Sequence, residues 1–108
     1  MTNEALGITR KIYALNNREL SNLLIGRKGG RTTIMIIDKL LLKPYNANEL
    51  SKILNLDYKT IVHHINIIHA HKYIEKEELE NCILFYPSNK LFNCLEEYKL
   101  IKKFLEME

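Results

Sequence analysis

Apolar residues recur mostly at helical spacing along this chain, with one short stretch late in the sequence that reads as a hairpin. Ile8, Ile12 and Leu15 fall at i, i+4 and i+7, so residues 4–25 read as helical. Asn16 followed by Glu19 resembles a capping box leading into Leu20, Leu23 and Leu24. The segment is one broken helix or two short ones, and the Gly-rich run Gly26-Arg27-Lys28-Gly29-Gly30-Arg31 ends it. Residues 31–43 form a dense apolar helix. Ile34, Ile37 and Leu41 make one stripe, and Met35, Ile36 and Leu42 add a second face, so burial on more than one side is expected. Pro44 stops that helix, because proline disfavours the helical conformation at the residue before it.

Two capped helices follow. Asn46 and Glu49 form a box at the head of the first, whose inward face is Leu50, Ile53 and Leu54. Asn55-Leu56 makes a turn. Asp57 then caps a helix over 58–71, with Ile61, Ile65 and Ile68 facing inward. Two helices joined by a tight turn have the geometry of a helix-turn-helix. Tyr73-Ile74 and Cys82-Ile83-Leu84-Phe85-Tyr86 read as strands around Glu75–Asn81, a hairpin or wing. A last helix over 89–107 carries Leu91, Leu95, Tyr98, Ile101 or Lys102, and Leu105 on one side. The fold expected is mainly α with a small β-hairpin wing: a winged helix-turn-helix over 26–88. An N-terminal helical segment (1–25) and a C-terminal helix (89–108), a dimerisation element, flank it.

With 108 residues, 46% hydrophobic and 27% charged, the chain is sized for one globular domain. No apolar run approaches the roughly 18 residues of a membrane span, and the N-terminus does not read as a signal peptide. A cytoplasmic location without a membrane partner is expected. The net charge of +3 is unevenly placed. Residues 1–60 hold ten Lys/Arg against five Asp/Glu, and residues 61–108 hold six against eight. The basic half is the one a polyanion would meet.

The stretch from Gly29 to Ile74 resembles winged-helix repressors of the ArsR type, and small archaeal winged-helix regulators more closely. Gly29-Gly30-Arg31-Thr32, Pro44 to Leu50, Leu54 to Ile61 and His63-His64-Ile65 carry the likeness. It implies a winged helix, dimerisation and DNA binding. Three features depart from it. Lys72 stands where the family has Gly at the end of the recognition helix, no cysteine box precedes that helix, and the wing is acidic.

Tyr58, Lys59, Val62, His63 and Asn66 lie opposite the inward stripe of 58–71, where a recognition helix meets the major groove. Asparagine can pair with adenine, and lysine with guanine or phosphate. Thr60 and Asp57 serve the helix start, with phosphate contact as a second role. Arg27, Lys28 and Arg31 suit either phosphate contact or a hinge. The dimer interface would draw on Met35, Ile36, Leu91, Leu95, Tyr98, Ile101 and Leu105; in a monomer, residues 4–25 would fold back over these surfaces instead. Glu75, Glu77, Glu78 and Glu80 crowd the wing with only Lys76 opposing, so it stands off DNA, faces a protein or is simply solvated.

No two of His63, His64, His69 and His71 sit at i, i+4, and His64 and His71 are about 10.5 Å apart along the axis. No metal site is expected, and His64 reads as a semi-buried residue of the helix-turn-helix core. Cys82 and Cys94 read as reduced, semi-buried thiols. No catalytic constellation or cofactor motif is evident, so the chain is not read as an enzyme. The leading function is a homodimeric regulator binding double-stranded DNA in a sequence-specific way. The competing reading is a winged-helix module that binds protein and not DNA.

Overall fold

A computed structural model of the chain describes residues 17–25 and 28–106. The face expected at Ile8, Ile12 and Leu15, the cap expected at Asn16, and the positions of Gly26 and Arg27 lie outside the described residues. The described residues form six helices and a two-stranded antiparallel hairpin, the architecture of a winged helix-turn-helix.

Helix α1 (Arg18–Leu24) begins where the Asn17 side chain accepts the Leu20 N–H at 3.1 Å, and it buries Leu20, Leu23 and Leu24. Helix α2 (Gly30–Leu40) ends three residues before the expected boundary. The Leu42 N–H bonds the Lys39 carbonyl, tightening the last turn ahead of Pro44. Its buried arc is Thr33, Ile36, Ile37 and Leu40, with Ile34 at its margin. Met35 and Leu42 stay out of the core, with Leu42 74% exposed.

In α3 (Ala47–Leu54) both halves of the expected box are present. Asn46 Oδ1 accepts the Glu49 N–H at 2.7 Å, and Glu49 Oε1 accepts the Asn46 N–H at 3.0 Å. Leu50 is fully buried, but Ile53 is 46% exposed and does not join the inward face. At 100° per residue, Ile53 lies about 100° from Leu54 and outside the arc shared by Ala47, Leu50 and Leu54. Asn55 closes α3 in the left-handed conformation, with φ 54°, and the Leu56 N–H reaches back to the Ser51 carbonyl.

Helix α4 (Tyr58–Ala70) buries Ile61, His64, Ile65 and Ile68. Asp57 occupies its N-cap position but makes no side-chain cap bond, contrary to the capping role expected of it. Burying a large aliphatic side chain stabilises by roughly 1.5–3 kcal/mol, so the stripe fixes the helix and turns its other face outward. The helix ends in a Schellman motif. The Lys72 N–H bonds the His69 carbonyl and the Tyr73 N–H bonds the Ile68 carbonyl, with Lys72 left-handed at φ 67°. Lysine thus holds the backbone conformation that glycine would adopt freely.

Strand β1 (Ile74–Glu78) pairs with β2 (Ile83–Pro87), matching Glu75 with Tyr86, Lys76 with Phe85, Glu77 with Leu84 and Glu78 with Ile83. The Glu-rich segment expected to be a loop is therefore mostly strand, and the loop proper is Leu79–Cys82. Tyr45 adds a bridge to Phe85, exchanging backbone bonds of 3.3 and 2.9 Å. The expected single C-terminal helix is two, α5 (Asn89–Asn93) and α6 (Leu95–Glu106), interrupted at Cys94.

The chain divides into two compact units. One is Arg31–Asn93; the other contains α1 and α6, which pack together. Among the described residues, no helix is long and apolar enough to cross a membrane.

Candidate nucleic-acid interface

The outer face of α4 is set by what its inner face buries. Lys59, His63, Asn66 and Tyr58 are exposed, while Thr60 and Val62 are half-buried. Helical spacing puts Lys59 and Asn66 within about 20° of each other and His63 about 40° from Lys59. These three form one solvent-facing row, and Tyr58 and Val62 flank it. The helix contains no Asp or Glu anywhere in Tyr58–Ala70. Its N-terminal amides add partial positive charge at the Tyr58-Lys59 end.

Beneath this row, His64 is 7% exposed, and its Nδ1 lies 3.4 Å from the Thr33 Oγ1 of α2. That places His64 in the core, as expected. At the far end, the Lys90 ammonium donates to the His71 carbonyl at 2.7 Å and sits 4.5 Å from the Tyr73 ring centroid. Ser88 Oγ donates to the Lys72 carbonyl at 2.6 Å. Both bonds fasten the C-terminus of α4 to the segment after the wing.

A groove of 420 Å³ runs beside α4, between it, the start of α3 and the hairpin. Val62, Ile65, Ile83 and Phe85 make its wall apolar; Asn48, Asn66, Asn81 and Lys76 supply polar groups. The hairpin register decides which wing charges face it. Successive side chains alternate across a strand, and cross-strand partners share a face. Lys76 and Glu78 therefore share a face with Phe85 and Ile83, the groove side, and Lys76 Nζ lies 3.7 Å from Glu78 Oε1. Glu75 and Glu77 share the opposite face with Tyr86 and Leu84. The acidic wing is thus acidic chiefly on the side turned away from the groove.

Arg31 is exposed in the first turn of α2, and Lys28 is exposed in the turn before it. Lys28 and Arg31 fall in different units. Of the residues expected at a dimer face, Ile36, Leu91, Tyr98 and Ile101 are buried within the single chain. Within its own unit, α6, which carries Tyr98 and Ile101, packs against α1. Met35 is exposed, and Leu95 and Leu105 are half-buried.

Lys76, Asn81, Asn48 and Phe85 were not singled out from sequence as site residues. The signal for Lys76 lay in strand parity: were β1 known to run through Glu78, its side would follow from that of Phe85. Nothing in the sequence marked Asn48 or Asn81.

No protein-family model matches the chain, and no curated protein matches it significantly. Solved structures do resemble it. The MarR protein from Peptoclostridium difficile is 23% identical, with a TM-score of 0.60 over 93% of this chain and 61% of that one. The transcriptional regulator BldR from Sulfolobus solfataricus is 12% identical, with a TM-score of 0.64 over 99% of this chain and 84% of that one. An ArsR-like transcriptional regulator from Rhodococcus sp. RHA1 is 14% identical, with a TM-score of 0.55 over 98% of this chain and 86% of that one. The chain spans less than two thirds of the length of the MarR protein. At these identities the likeness establishes fold: a winged helix-turn-helix shared with regulators described as MarR and ArsR-like.

Proposed function

We propose that the chain is a sequence-specific, double-stranded DNA-binding transcriptional regulator that acts as a cytoplasmic homodimer. The observation that carries this reading is α4 itself: a carboxylate-free helix whose exposed row is Lys59, His63 and Asn66. Such a row suits the major groove, where Asn66 can pair with an adenine edge and Lys59 with guanine or phosphate. Tyr58 and Val62 would meet thymine methyls or sugar beside it. Thr60 and the exposed Lys28 and Arg31, with Arg27, would contact backbone phosphates. The winged-helix regulators of similar fold support the assignment at the level of class.

Dimerisation is argued from the apolar side chains that remain outside the core, Met35, Leu95 and Leu105. The DNA reading is tested by titrating a labelled duplex at several salt concentrations. Specific binding that weakens steeply with salt supports it. Binding to no duplex transfers the fold to a protein-interaction role.

A further inference from the structure

The hairpin separates its charges by face, and among the described residues Lys76 is the only lysine or arginine that lines the groove beside α4. Lys76 lines that groove, opposite Phe85 in the register. Its carboxylate neighbour on the same face is Glu78, at 3.7 Å, with the two side chains 45% and 70% exposed. Glu75 and Glu77 carry the same charge on the other face, next to Tyr86 and Leu84. We propose that Glu78 is an intramolecular competitor for the DNA phosphate at Lys76, so that the wing enters the complex by exchanging a carboxylate for a phosphate.

The proposal rests on the DNA-binding reading and adds a residue-level mechanism to it. An exposed ion pair holds its partners weakly and is screened by salt. A phosphate arriving from the duplex therefore displaces Glu78 at small cost, and Glu78 then stands as an uncompensated anion next to DNA. Its effect is a brake on affinity. The brake is local, because a carboxylate at Glu77 adds equal net charge on the side turned away. Lys76 is the phosphate-binding group; Glu78 is a positioning residue that acts through it.

The test compares duplex affinity and its salt dependence for the full chain and for E78Q, E77Q, K76M and the double variant K76M/E78Q. The duplex is one the wild type binds specifically. E78Q should tighten binding by about two- to five-fold at low salt, the range that an exposed ion pair spans. E77Q should change it clearly less. K76M should weaken binding and make the salt slope shallower by roughly one. In the K76M background, E78Q should lose most of its effect, which a merely structural role for Glu78 does not predict. Equal tightening by E78Q and E77Q overturns the proposal in favour of net charge alone, and so does an E78Q effect undiminished by K76M. Either result leaves the DNA-binding reading standing. A wild-type chain that binds no duplex overturns both.

Discussion

Ser88 Oγ donates to the carbonyl of Lys72, the residue that ends α4 in a left-handed turn with φ 67°. Left-handed backbone costs a side-chain-bearing residue on the order of 1 kcal/mol relative to glycine. Lys72 is exposed, so its side chain contributes little packing in return. K72G should therefore stabilise the chain by about 1 kcal/mol, less whatever the glycine gains in unfolded-state freedom. Chemical denaturation measures it, and a lower midpoint for K72G contradicts this account of the helix end.

The two helix starts should respond differently to alanine. Asn46 satisfies the Glu49 N–H and stands in a reciprocal box, so N46A should cost about 1 kcal/mol. Asp57 makes no cap bond, so D57A should cost only the weaker helix-dipole contribution, about 0.3–1 kcal/mol and screened by salt. Equal losses in denaturant midpoint, insensitive to salt, contradict the difference in capping.

The legibility of these elements follows from how local their signals are. Helices α3 and α4 were readable because caps and an Ile61–Ile65–Ile68 stripe are encoded within a few residues. Strand β1 was shortened because four of its five residues are charged, leaving no alternation to detect. Its extent is imposed by pairing with the apolar β2, a non-local cause. Tyr45 was missed as a bridging residue for the same reason, since its partner Phe85 is forty positions away. The break at Cys94 carries no proline or glycine to announce it. The exposed face of α4 was legible because it is the complement of a periodic stripe; the groove, which needs three elements at once, was not.

Gly30 should tolerate no side chain. A Cβ there would overlap the Leu24 carbonyl oxygen, a backbone atom that cannot swing aside. G30A should therefore destabilise by roughly 1–3 kcal/mol, the usual cost of forced overpacking, despite alanine's better helix propensity. A thermal midpoint unchanged or raised in G30A contradicts the close approach.

Self-association should be measurable independently of DNA. If the homodimer proposal holds, sedimentation at micromolar concentration gives a particle of about 25 kDa, twice the 12.7 kDa chain. M35E should shift it toward monomer, because Met35 is 40% exposed and its substitution leaves the core intact. A stable monomer for the wild type contradicts the proposal and leaves α1 and α6 as a self-contained covering pair.

The central claim is that the outer row of α4 reads duplex sequence, and selection from a pool of random duplexes at moderate salt tests it most directly. The account predicts an enriched motif, near-palindromic with half-sites about one helical turn apart if the protein is a two-fold dimer. Repeated with N66A, the selection should relax at one position per half-site. With K59A, affinity should fall; if Lys59 holds a phosphate, it falls similarly on all sequences, with a salt slope shallower by about one. Enrichment of no motif by the wild-type chain would contradict the claim and assign this winged helix to a protein partner.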